Sequence, residues 1–167
     1  MFEINDIVLY NQTDICIVKD IREMPFLGEG RINFYVLRPM DDDSNANPTL
    51  YVPLNAGEER LHRMFSAEEL KAMLAEGGKR IAWFDAPLIR KKEYSDILSR
   101  SRPQELIGLI RTLEEHRAAR LRVGQKMSDA DEKYLLGAQK RLFPLFRYIL
   151  NVEWDDFLPL IAGSGKK

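Results

Sequence analysis

The chain has 167 residues, 45% hydrophobic and 31% charged, with a formal net charge of −1; this excludes a disordered polymer and fits a folded protein of one or two domains. No run approaches the roughly 18 consecutive apolar residues of a spanning helix. The start MFEINDIVLY lacks the basic-then-apolar pattern of a secretion signal, so the expected compartment is cytoplasmic. Near-neutrality hides an uneven distribution: residues 1–78 hold 7 Lys/Arg and 14 Asp/Glu, residues 79–126 hold 12 and 6, and residues 127–167 hold 6 and 6. The basic middle has two readings, a positive field that attracts phosphate or ordinary solvated helix faces.

In chain order, residues 6–10, 15–21, 31–37 and 49–52 are short segments rich in β-branched and aromatic side chains, which predicts strands. Polar and glycine residues at 11–14 and 25–30 supply reversals, and 41–48 (DDDSNANP) is an acidic loop. Several strands within so short a span predict a small antiparallel barrel or strongly bent sheet. The single cysteine, Cys16, lies in the run ICIV and reads as a buried small hydrophobe.

From Ser66 the period becomes helical. Ser66 and Glu69 form a capping box and Gly77-Gly78 ends that helix, predicting a helix at 67–76. Asp85 and Pro87 open a second helix to about 99, with Arg90, Lys91 and Lys92 near its start, the wrong end for cations. Pro103 opens a third, with Leu106, Ile107, Leu109, Ile110 and Leu113 on one stripe and Gly124 beyond its end. A fourth opens at Ser128 and turns Tyr134, Leu135, Ala138 and Leu142 inward; Pro144 is expected to kink or end it. A short helix at 155–161 precedes a loose tail. The resulting division is a β domain at 1–56, an all-α domain at 57–163 and a flexible tail at 164–167.

Residues for catalysis do not assemble. His62 and His116 are far apart and have no cysteine at metal-ligand spacing, and neither a phosphate loop nor a nucleophile elbow is present. Adjacent acidic pairs such as Glu58-Glu59 and Asp155-Asp156 look like solvated surface. The expectation is a binding protein, with no enzyme activity, cofactor or metal.

Met1-Phe2, Asp6-Ile7-Val8-Leu9-Tyr10, Ile15-Cys16-Ile17-Val18, Phe34-Tyr35-Val36-Leu37-Arg38-Pro39 and Tyr51-Val52-Pro53 resemble, in order and spacing, the N-terminal module of the CarD family of bacterial transcription regulators. Pro103-Gln104-Glu105-Leu106-Ile107-Gly108-Leu109-Ile110-Arg111-Thr112-Leu113 is similar to that family's ELxxhhRxL helix, and 128–142 and 146–150 to its next helical stretch. The resemblance implies an α+β protein: a small Tudor-like (SH3-like) antiparallel β-barrel that binds the RNA polymerase β subunit, followed by a helical domain touching promoter DNA. It implies a monomeric, non-enzymatic factor that changes the stability of the open promoter complex. The other function considered is a protein-protein adaptor whose β module binds another transcription or repair factor without DNA contact.

The resemblance also implies site residues. DNA contact falls to Trp83, Arg90, Lys91 and Lys92, with Arg100 and Arg102 as further cations. In the family a tryptophan wedges into the minor groove just before paired cations; counted back from Pro103 that position is Pro87, so Trp83 is read either as a displaced wedge or as a packed aromatic. The polymerase-binding edge is implied at Arg22, Met24, Tyr51 and Val52, either as a docking rim or as ordinary strand residues.

Overall fold

The computed structural model describes residues 1–28, 30–40 and 49–163. The acidic loop at 41–48 and the tail at 164–167 lie outside the described residues. The chain is α+β and divides into two compact units, Met1–Met64 and Phe65–Lys167.

The first unit is one antiparallel sheet. Its strands are β1 (Ile7–Tyr10), β2 (Asp14–Phe26), β3 (Gly30–Pro39), β4 (Leu50–Pro53) and β5 (Leu61–Arg63), in the spatial order β4-β3-β2-β1-β5. All four pairings are antiparallel, and the two outer strands are not paired with each other, so the sheet is open. Between Leu54 and Arg60 lie a 3-10 turn and the four-residue helix α1 (Gly57–Arg60). The domain boundary expected at 56 moves past Met64, because β5 returns to pair with β1, Leu61 opposite Tyr10 and Arg63 opposite Val8. Three residues are too few for an alternating pattern to signal a strand.

Alternation places Val8, Cys16, Val18, Tyr35, Leu37, Val52 and Leu61 in the sheet unit's core. Cys16 is buried as expected; burial, with Asp14 nearby, pushes its thiol up to about 12. A register shift between Val18 and Asp20 bends β2 at Lys19.

The second unit holds α2 (Ala67–Glu76), α3 (Pro87–Arg100), α4 (Pro103–Arg122), α5 (Asp129–Leu150) and α6 (Trp154–Ala162). The Ser66–Glu69 capping box is formed in both directions, and Gly77 closes α2 at φ 81°. The predicted stripe of α4 is fully buried, as are Leu135, Ala138, Leu142 and Phe146 of α5 and Phe157 and Ile161 of α6, with the Phe146 and Phe157 rings 5.2 Å apart between centroids. Pro144, expected to kink or end the helix, does not end it: α5 runs through it. Proline there removes the bond to the Lys140 carbonyl, but Lys140 is an exposed residue where water is at hand. Buried Leu142, Leu145 and Phe146 anchor the helix on both sides of Pro144.

Candidate interaction surfaces

The distal half of the β2–β3 hairpin is paired only to itself. β1 meets β2 at residues 14–17 and β4 meets β3 at 34–37, so among the described residues no further strand flanks 20–26 or 30–33. The result is a two-stranded ribbon with open main-chain edges. Directly opposed residues share a face, which groups Arg22, Met24 and Phe26 with Phe34 and Ile32 on one side. The other side is more polar and carries the Glu23–Arg31 ion pair at 3.3 Å. Phe26 and Phe34 sit 5.7 Å apart between ring centroids, and exposed Leu27 stands at the tip.

The four residues implied for polymerase binding do not all lie together. Tyr51 is opposite Val36, which is two residues from Phe34, so Tyr51, Arg22 and Met24 share one face of the sheet. Arg22 is paired with Asp20 at 3.1 Å, both exposed. Val52 is 1% exposed and points the other way into the core opposite Tyr35, so only its main chain is placed at an edge. Phe26, Leu27 and Ile32 were not singled out from the sequence. The alternating Ile32, Phe34 and Val36 were the available signal.

In the helical unit, the six residues implied for DNA contact split between the two ends of α3. Arg100 and Arg102 lie at its far end, about 20 Å from its start at 1.5 Å per residue. Arg100 is engaged with the buried carboxylate of Glu105 at 2.9 Å, whereas Arg102 is exposed.

At the near end Arg90 turns inward. Its Nε donates to Asp131 Oδ1 at 3.0 Å, the side chains being 12% and 3% exposed, and its Nη1 donates to the Phe84 and Asp85 carbonyls. Trp83 is half-buried and tied three ways. Its ring stacks on His116 at 3.5 Å between centroids, the Arg90 Cζ lies 4.4 Å from the ring centre, and its Nε1 donates to Asp85 Oδ1 at 3.2 Å. Arg90 thus acts as an internal tie, and Trp83 is a packed aromatic.

What this end offers to a partner is different. Leu88 and Ile89 are 81% and 49% exposed, followed by exposed Lys91 and Lys92. Lys92 pairs with Asp96 at 3.1 Å; Lys91 has no ion pair among the described residues. The start of α3 has no side-chain cap and no acidic residue in its first turn; Pro87 has no N–H and the Ile89 and Arg90 amides donate to the Ala86 carbonyl, which leaves the Leu88 amide and a positive helix end. The Arg90–Asp131 and Arg117–Glu132 pairs and the Trp83–His116 stack bring the end of α4 and the start of α5 to the same end. Arg120, Arg122 and Lys126 therefore join Lys91 and Lys92. The acid-free run RAARLRVGQK at 117–126 carried that signal in the sequence.

Among the described residues no group of three or more His, Cys, Asp or Glu could hold a metal ion, and no helix is long and apolar enough to cross a membrane. A cleft of about 830 Å³ beside Trp83 is lined by Arg80 and Arg111 against Glu76 and Glu115. No known family model matches the chain, and no curated protein matches it.

Proposed function

We propose that the chain is a transcription regulator of the CarD type. Its sheet unit serves as a Tudor-like module that binds the RNA polymerase β subunit, and its helical unit contacts promoter DNA to modulate open-complex stability. The observation that carries the reading is the start of α3: exposed apolar residues, an uncapped helix end and two lysines, with Arg120, Arg122 and Lys126 at the same end. Cations and the Leu88 amide suit phosphate oxygens, and exposed Leu88 is the apolar side chain that would press against a groove. That role moves from Trp83, which has three intramolecular contacts to lose, to a side chain with almost none.

The ribbon supports the other half of the reading. An open strand edge with Met24, Phe26 and Ile32 on one face can accept a polymerase strand by main-chain hydrogen bonds and cover apolar area. Docking there raises the effective concentration of the helical unit on the promoter, so a modest basic face is enough.

Open-complex lifetime on a polymerase–promoter template tests the reading. The variant Lys91→Glu/Lys92→Glu should shorten it several-fold and weaken its salt dependence, by roughly 0.9 in log-log slope per lost phosphate contact. An unchanged lifetime with polymerase binding intact would favour the adaptor without DNA contact. No association with the polymerase β lobe would remove the proposal.

A further inference from the structure

The helical unit has a second cleft, of about 800 Å³, between α4, α5 and α6. That volume falls within the range of small-molecule sites. Its apolar wall includes Leu136, Leu158 and Trp154, whose ring is braced by Phe143 and Phe157 at 5.2 and 5.6 Å between centroids. Two polar groups open on it without partners. Gln139 of α5 is 6% exposed, yet its amide makes no hydrogen bond among the described residues. Since none of their side-chain polar atoms is both sealed from solvent and unsatisfied, the amide keeps its remaining surface on the cleft that it lines.

Arg111 of α4 is the second. Its Nε donates to Ile161 O at 3.2 Å and fixes the group, but neither Nη has a hydrogen bond or ion pair among the described residues. Arg90, Arg100 and Arg117 of the same unit each meet a carboxylate. The end of α2 does not use the Nη donors either, because its Met73 and Leu74 carbonyls accept from the Gly77 and Gly78 amides. A Cβ on Gly77 would come within 3.2 Å of Nη1 and one on Gly163 within 3.3 Å of Cζ, so two glycines leave room for the guanidinium. Helices α4 and α5 form a hairpin paired at Arg117–Glu132; two turns back along α4 and two turns on along α5 bring Arg111 level with Gln139.

We propose that this cleft binds a small organic acid with one carboxylate on an apolar body: the carboxylate accepts from the Arg111 Nη groups and the Gln139 amide, and the apolar body lies against Trp154 and Leu158.

The planar fork of a guanidinium matches a carboxylate. Charge on the wall limits the ligand further. Arg117 is engaged with Glu114 and Glu132, while Glu115 is exposed and has no ion pair among the described residues. One unpaired cation beside one unpaired carboxylate admits a single negative charge and opposes a phosphate ester or a diacid. Length is set by α6: Ile161, which Arg111 holds, is seven residues and so about 10 Å along the helix from Trp154. An arylalkanoic acid such as 4-phenylbutyrate spans a comparable distance. The inference is independent of what the helical unit docks on.

A heteronuclear NMR titration of the whole chain at neutral pH tests it, with 4-phenylbutyrate, its neutral amide and phenyl phosphate as probes. The Gln139 side-chain N–H, Arg111 Nε–H and Trp154 indole Nε1–H cross-peaks should move together with 4-phenylbutyrate and saturate below about 10 mM, while the Trp83 indole stays in place. The amide and phenyl phosphate should bind about tenfold more weakly or worse. Gln139→Leu, which keeps the volume and removes the amide, should weaken 4-phenylbutyrate several-fold. The site is overturned if 4-phenylbutyrate gives no saturable shift, if the amide or phenyl phosphate binds as well, or if Gln139→Leu binds like the unmodified protein. The three-probe comparison is made on the unmodified protein, so it decides even if the variant folds poorly.

Discussion

Arg90 shows how a single residue can be legible as a cation and illegible as to its use. Its place in an RKK run marks it as a surface charge, yet the structure ties it to Asp131, two carbonyls and the Trp83 ring. Partners 41 residues apart in the chain leave no local trace of the pairing. Removing one member strands a desolvated charge, so Arg90→Ala or Asp131→Ala should each lower unfolding free energy by about 3–5 kcal/mol in urea titrations, and Arg90→Met/Asp131→Leu by less. Lys91→Ala should change it by no more than about 0.5 kcal/mol. Equal small effects at all three positions would mean that the tie is not formed. Gly108 has a comparable hidden constraint: a Cβ there would overlap the Lys79 carbonyl, where the connector from α2 to α3 crosses α4.

Whole elements were more readable than their neighbours in space. The capping box of α2, Pro87 and Pro103 at the starts of α3 and α4, and the apolar stripes of α4 and α5 are local patterns, and each appears where it was expected. Two elements departed from expectation because tertiary packing outweighed local preference. Strand β5 exists because β1 offers it an edge. Helix α5 continues through Pro144 because buried side chains on both sides cost more to separate than one lost hydrogen bond. Replacing that proline restores the missing donor, so Pro144→Ala should raise unfolding free energy by about 1–2 kcal/mol, offset in part by the freer unfolded chain. A drop in melting temperature would show that the proline ring itself fills needed space.

At the scale of the whole molecule, near-neutrality is the sum of two opposite parts: residues 1–64 carry 6 Lys/Arg against 11 Asp/Glu, and residues 65–167 carry 19 against 15. Within the basic unit the buried carboxylate of Glu105 ties α3 to the start of α4. Burial raises its proton affinity, but the Arg100 hydrogen bond and the charges of Arg100, Lys79 and Arg102 together more than reverse this, holding it below the usual 4.5. A carboxylate depressed by folding stabilises the fold above its unfolded value and loses that contribution as pH falls through its folded one. Thermal unfolding should therefore show a loss of stability below about pH 4.5 that is smaller in Glu105→Gln; an identical acid profile for both would exclude the pairing. The α+β class, the helix starts, the buried stripes and the basic middle were determined by the sequence alone, because each is written in residues within one or two turns of each other. Tertiary structure decided that the sheet is open with a projecting ribbon, that Trp83 and Arg90 face inward, and that Leu88 and Lys91 share an end with Arg122 and Lys126. Those outcomes depend on which distant side chains compete for the same space and the same hydrogen bonds, and no local pattern encodes that competition.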